Sequence, residues 1–562
     1  MSFCATAEAA LALSLGATIA YHLASAGLAA ESAALALLCA AACGLEYLRG
    51  GAPLASRAGC SMRPDAGAGL AVGASSPALV VAALVVARGP SPLLRTYLWA
   101  AAAGGAQPLL AAAWCDGPLL RGAPALASAL LVAVVPPLVV VGPTAAAVCA
   151  AVAALAQLLA VGAFAAVQRC FTAGEGAMMA LMSALLVVDA AVVTSCAVAD
   201  GGPALCVARG EAATASEAVA CGGLLLALLL LALCGPPRPA ATGWRAVRFA
   251  ALALTFTGGV LAPWLGLLVG AEPIGWVVRF FVQPTRLAIA AGWVAAIVVV
   301  SALAARVAPA VVHPTAGGDG EAGGADGSDG AGAAATKARR QRARLLLTRK
   351  LYHFLAVALF VPAALLERDF LQLCMAGALA VFLLLEAVRV CGVAPLAAPL
   401  GGFVRRFVDA RDGGTLVLTH VYLLLGCALP VLLDAALPAP SARDAVGRAA
   451  APLAGVTVLG VGDAMASAVG IAAGRTRWPG TRKTVEGTAA GWASCMLLLA
   501  VLLLPHHPLS AEARGWAGVA AATALVCVLE AVTTQIDNLL LPPVYFAALL
   551  AAGPLALDSQ TS

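Results

Sequence analysis

The chain has 562 residues, of which 62% are hydrophobic and only 11% charged, with a formal net charge of +5. That composition excludes an ordinary soluble domain, which needs far more polar surface to cover its core. The modest positive balance does not point to nucleic acid.

The apolar residues fall in long blocks. Ala123–Val141, Thr144–Val167, Ala218–Gly235, Leu287–Arg306 and Phe370–Val390 each approach or exceed the roughly 20 residues that cross a bilayer. Backbone groups in lipid must pair within their own segment or within a closed barrel, and unbroken apolarity without alternation selects helices. The expected fold is an all-α polytopic integral membrane protein of about fifteen spans. The amino terminus has no basic stretch before its first apolar run, so it reads as a first span rather than a cleaved leader. Most of the sixteen cysteines, Cys149, Cys196 and Cys427 among them, lie inside apolar blocks and none forms a Cys-x-x-Cys pair. They read as small buried hydrophobes.

In chain order, residues 1–308 form a first multi-span region. Its one conspicuous intramembrane acid is Asp189, in Leu-Leu-Val-Val-Asp-Ala-Ala-Val-Val. Such a carboxylate is a candidate site, or equally a hydrogen bond between packed helices. Loops with Arg49, Arg57 and Arg63, and with Arg238 and Arg245, are basic, whereas Asp200–Glu217 is net acidic; this places the amino terminus in the cytosol. Residues 309–336, rich in Gly, Ala and Asp, cannot build a core and are expected to be a disordered linker. The basic run from Lys337 through Arg339, Arg340, Arg342, Arg344 and Arg349 to Lys350 marks the cytoplasmic side, and also suits contact with anionic lipid head groups.

The region 337–556 is denser in polar residues. Spans are expected near 351–366, 370–390, 415–434, 449–474, 487–504, 514–530 and 539–556. Counting spans from Lys350 puts three loops on its face: those with Arg405–Asp412, with Arg475–Lys483, and with Glu530, Asp537 and Asn538. His506 and His507 fall on the opposite face. Charge therefore gathers where cytosolic nucleotides are.

The most informative stretch runs from Gly462 to Thr488. Asp463 is a carboxylate in an apolar helix, placed to hold a metal ion or a hydroxyl proton. Ala466, Gly470 and Gly474 recur every four residues and leave one helix face without bulk, open to a ligand or another backbone. Arg482 and Lys483 are cations suited to phosphate oxygens. Glu486 and Gly487 open the next helix, whose free N–H groups favour phosphate. Each part has a plain alternative. The small residues suit helix packing, the cations suit positive-inside topology, and Thr484 suits a cap. Packing alone, however, does not ask for a buried Asp. Trp478 is either a stacking partner for a base or an interfacial anchor.

Asp463, Ala466, Gly470, Gly474 and Arg482-Lys483-Thr484-Val485-Glu486-Gly487 resemble the CTP-binding segment of the dolichol kinase family, with Arg482 in place of the first Lys. The wider pattern also occurs in phosphatidate cytidylyltransferases and phytol kinases. Three further segments resemble dolichol kinases more narrowly: Arg349-Lys350-Leu351-Tyr352-His353, Arg411-Asp412-Gly413 with Thr419-His420-Val421-Tyr422-Leu423-Leu424, and Gln535-Ile536-Asp537-Asn538-Leu539 with Pro542. The resemblance covers roughly residues 340–550.

It implies transfer of the γ-phosphoryl group of CTP to dolichol at the endoplasmic reticulum membrane, on its cytosolic face, for protein glycosylation. It implies Mg²⁺ held by Asp463, with Glu486 and Asp537. Nucleotide contacts are expected from Gly470, Gly474, Arg482, Lys483, Thr484, Glu486 and Gly487. The catalytic residues are expected to be Asp463, His420 and Asp537, and His353 is a weaker candidate. The alternatives are another CTP-dependent lipid enzyme, of the phytol kinase or cytidylyltransferase type, and a secondary transporter. No chemistry is expected of the first 300 residues.

Overall fold

The computed structural model describes residues 3–48, 67–114, 134–166, 170–199, 205–235, 242–307, 351–404, 416–435 and 445–552. The linker 309–336, the basic run 337–350 and the segment 405–415 lie outside them. The described residues are helical throughout, with one isolated β-bridge between Arg477 and Thr484. Twelve helices are long and apolar enough to cross a membrane, and three shorter apolar ones, Leu351–Leu366, Val421–Ala435 and Asp537–Ala551, accompany them.

Side-chain contacts sort the helix ends onto two faces. Phe3–Ser25 begins beside Pro479, whose carbonyl accepts from the Cys4 thiol at 3.7 Å. Glu46, near the end of Ala29–Leu48, accepts the amide of Leu70 at 2.8 Å. Thr172, the cap of Ala173–Val198, donates to Gln535 at 2.6 Å. These ends share one face with the 475–484 loop and the 533–537 segment. On the other face, Arg95 pairs with Glu31 at 2.6 Å, Arg286 with Glu367 at 3.0 Å, and Arg368 with Asp434 at 2.7 Å. The buried Asp434 carboxylate also pairs with Arg448.

The two halves of the sequence are interleaved rather than set apart. Leu70–Arg88 is almost wholly buried and packs on Asp537–Ala551, while Trp244–Val269 and Pro284–Leu303 bury few residues fully, as helices at the lipid boundary do. Asp189 is no isolated carboxylate. Arg209 grips it with two hydrogen bonds, at 2.8 and 2.7 Å, the Tyr97 hydroxyl donates to it at 2.6 Å, and Arg209 also reaches Glu217 at 2.5 Å. Burial works against the Arg209 charge, but Asp189 and Glu217 more than offset it and hold the guanidinium above its ordinary range. The packing alternative for Asp189 is thus realised.

One expectation is corrected. Cys196 is not merely a small buried hydrophobe, since it forms a disulfide with Cys206. The sequence conceals the pair because Cys206 sits in a polar loop ten residues away, without a recognisable spacing. The bridge lies at the far end of Ala173–Val198 from Thr172, hence on the face opposite the 475–484 loop.

Candidate active site

Asp463 opens the helix Asp463–Ala473 directly after a π-helical stretch, Val456–Gly462. Such widened turns are rare and gather at functional sites. Bare glycines make this one feasible. A Cβ on Gly455 would lie 2.1 Å from the Gly426 carbonyl oxygen, and one on Gly462 would lie 2.8 Å from the Cys495 sulfur. Gly426 in turn abuts the Asn538 carbonyl, which Pro542 leaves without its helical donor. Asp463 stands 3.4 Å from Nδ1 of His353, which also lies 2.6 Å from the Leu459 carbonyl. A carbonyl only accepts, so Nδ1 carries the proton, and in the neutral ring Nε2 is the acceptor. The Ser467 hydroxyl lies 3.4 Å from the other Asp463 oxygen.

The loop after this helix is tightly tied. Trp478-Pro479-Gly480-Thr481 makes a turn closed by Thr481 N–H to the Trp478 carbonyl at 3.2 Å, with Gly480 at φ 74°. Pro followed by a left-handed Gly is the sequence of a type II turn. The Trp478 amide donates to the Lys483 carbonyl at 3.0 Å and its indole N–H to Thr488 at 3.0 Å, so the ring is held by the next helix. Glu486 spends both oxygens on the Thr476 amide, at 2.9 and 3.1 Å. Thr484 caps Val485–Leu503 by accepting the Gly487 amide at 3.2 Å, and Val485 N–H goes to the Thr476 carbonyl at 2.9 Å. These amides of the helix terminus are therefore already satisfied. The small-residue face is likewise filled. A Cβ on Gly474 would stand 2.7 Å from the Thr484 hydroxyl, and one on Gly487 would stand 2.6 Å from the Ala466 carbonyl. Gly470, Gly474 and Gly487 let two helices and their loop close on each other.

The cations that the loop presents differ in their surroundings. Arg482 is exposed. Lys483 turns inward. Its ammonium donates to Glu530 at 2.5 Å, also reaches the Glu530 carbonyl, and lies 3.5 Å from Asp537. Burial disfavours that charge, but Asp537 and Glu530, with Asp463 behind them, outweigh it and hold the ammonium above the ordinary lysine range. Two carboxylates from separate helices, Glu530 and Asp537, thus meet one cation at a membrane face, and the Asp463 charge acts on it from farther away. Glu530, which ends Leu509–Val532, is the member that sequence reasoning missed as a site residue. It was visible only as an acid near a helix end. His420 lies in the first turn of Thr419–Ala435, and its side chain is outside the described residues.

Among the described residues, no group of three or more His, Cys, Asp or Glu forms a ready-made metal cage. The Glu530 and Asp537 oxygens face an ammonium instead, with Asp463 beyond them. A hard anionic donor set of this kind suits Mg²⁺, which usually takes one or two carboxylates, several waters and substrate phosphates.

The fold and this cluster define a helical, many-span membrane protein with a cation-binding acid centre at one face. The family model for "Dolichol kinase" matches residues 158–478, more than half of the chain. The chain belongs to the dolichol kinase family. It is 36% identical to the mouse dolichol kinase and 35% identical to the human one over 298 residues, 52% of this chain and 51% and 50% of those proteins. It is 41% identical over 217 residues to dolichol kinase EVAN of Arabidopsis thaliana, 38% of this chain and 36% of that one. The chain thus spans about half the length of the curated relatives it matches. No solved structure matches it significantly.

Proposed function

We propose that the protein is a CTP-dependent dolichol kinase of the endoplasmic reticulum membrane. The observation that carries this is the pairing of Lys483 with Glu530 and Asp537 at one face, within reach of the Asp463 charge and beside the exposed Arg482. Phosphoryl transfer asks a protein mainly for positioning and charge neutralisation. Arg482 and Lys483 take the β- and γ-phosphate oxygens of CTP, with Lys483 leaving the acids as phosphate enters. Asp463 and Asp537 would hold Mg²⁺, which would supply charge neutralisation at the phosphates. Glu486, whose oxygens hold the Thr476 amide, together with Thr484, Gly470, Gly474 and Gly487, keeps the clamp loop in shape. The dolichol hydroxyl oxygen attacks the γ-phosphorus, the bond to the β–γ bridging oxygen breaks, and CDP leaves. The hydroxyl proton passes to a carboxylate of the cluster or to His420. The polyprenol chain stays among the helices.

The Cys196–Cys206 disulfide supports a cytosolic site. Disulfides persist on the oxidising side of a membrane, and this one lies on the face opposite Lys483. CTP carrying label at either phosphorus tests the reaction. Label from the γ position reaches the polyprenol fraction under this proposal. Label from the α position reaching lipid instead means cytidylyl transfer.

A further inference from the structure

We infer that Glu175, in the amino-terminal half, is a positioning residue for the active site; this rests on the kinase reading above. The segment 533–537 carries Asp537 to Lys483, and the amino-terminal half braces it. Glu175 Oε1 accepts the Ile536 amide at 2.7 Å, and Ile536 is the N-cap residue directly before Asp537. The second oxygen of Glu175 accepts the Thr172 amide at 2.9 Å, while the Thr172 hydroxyl donates to Gln535 at 2.6 Å.

Further contacts close the socket. Thr533 donates to Glu8 at 3.1 Å, and the Gln535 amide reaches the Gly67 carbonyl at 3.4 Å. Gly69, at φ 66°, leaves room for Gln535 that any Cβ would fill, 2.4 Å from its oxygen. Gly174 packs its bare Cα on the Gly69 carbonyl, where a Cβ would stand 1.9 Å away.

The chemistry explains why an acid stands at position 175. A carboxylate at the amino end of Asp537–Ala551 satisfies an otherwise orphaned donor and meets the positive end of the helix dipole. It fixes the first turn of that helix, and with it the Asp537 oxygen near Lys483. Glu175 touches no reacting atom. It acts through Ile536 and Gln535, across some 360 residues of sequence.

The test uses the full chain in lipid nanodiscs and compares wild type, Glu175→Ala and Glu175→Gln. Two quantities are read: hydrogen–deuterium exchange of peptides across the chain, and kcat and KM for CTP-dependent phosphorylation of dolichol per folded protein. A hydrogen bond to a charged acceptor guards the Ile536 amide, so Glu175→Ala speeds exchange about tenfold or more, confined to 533–541 and the 172–175 turn. With it kcat falls by a similar factor while KM for dolichol holds. Glu175→Gln, which keeps one acceptor oxygen, restores most of both. Unchanged exchange at 533–541 overturns the inference, as does a rise spread evenly over the chain with kcat intact. Should Glu175→Ala fail to accumulate, Thr172→Val cuts the same brace from its other end and is held to the same outcomes. If wild type transfers no label from CTP, the kinase reading fails, and the exchange comparison still decides whether Glu175 holds this segment.

Discussion

Two buried acid–base clusters, one near each face of the membrane, use nearly the same ingredients to opposite effect. Around Asp189, a single arginine reaches two carboxylates with a planar fork, a tyrosine adds a third donor, and the Arg209 side chain is only 6% exposed. Around Lys483, a compact ammonium lies between acids from two helices, is 31% exposed and has a second, exposed cation next to it. The first is a closed knot that ties helices together. The second holds its cation by a point charge, which under the proposed function phosphate draws away. An acid inside the bilayer is thus no sufficient mark of a site; what separates the two is whether its partner is bound in a fixed geometry or is exchangeable.

The comparison can be broken by substitution. Asp463→Asn is expected to lower kcat about a thousandfold or more with unchanged protein levels, because the charge opposite the phosphates is gone while the shape remains. Labelled-CTP assays on matched amounts of protein check this, and activity near wild type removes Asp463 from the centre. Arg209→Ala is expected to act on stability instead. It leaves Asp189 and Glu217 uncompensated and costs about 3–5 kcal/mol, read as a lower midpoint of thermal unfolding in detergent, with kcat of the surviving protein unaltered. A loss of kcat without a loss of stability would make the first cluster functional after all.

Lys483→Ala is expected to reduce kcat/KM for CTP about a hundredfold. Because the acids raise the Lys483 pKa, its charge is present at every pH below the free-lysine value of about 10.4 and is lost only as pH rises past the higher, folded value. The wild-type pH–rate profile should carry no Lys483 inflection near neutrality. The smallest effect is expected at Arg482, exposed at the rim. Arg482→Gln raises the apparent KM for CTP about tenfold or less, and Arg482→Lys changes it within about twofold, as steady-state kinetics would show.

Much of this was legible in the sequence for a plain reason. Span-length apolar blocks and an acid interrupting one of them are local signals, and so is Thr484 before a run opened by Glu486. Some local signals allow two physical outcomes, and there the sequence alone leaves a residue's role open. Ala466, Gly470 and Gly474 leave a bare face, and the fold fills it with Thr484 and Gly487. The start of Val485–Leu503 has donors, and the loop and the cap consume them. What stayed hidden depends on contacts between distant residues. Cys196 meeting Cys206, Glu530 meeting Lys483 and Glu175 meeting Ile536 leave no periodicity behind. The first 300 residues look free of chemistry because Glu175 acts on a backbone amide of the other half, a contact with no local signature.

A cytosolic CTP site requires the Lys483 face to be cytosolic and the disulfide face lumenal. A cysteine placed in the exposed loop by Arg477→Cys, probed with a membrane-impermeant maleimide on sealed, cytosolic-side-out microsomes, measures this directly. The thiol at 477 should label without detergent, while Cys196 and Cys206 should label only after permeabilisation and reduction. Labelling at 477 that requires permeabilisation would put the clamp loop out of reach of cytosolic CTP and contradict the proposal.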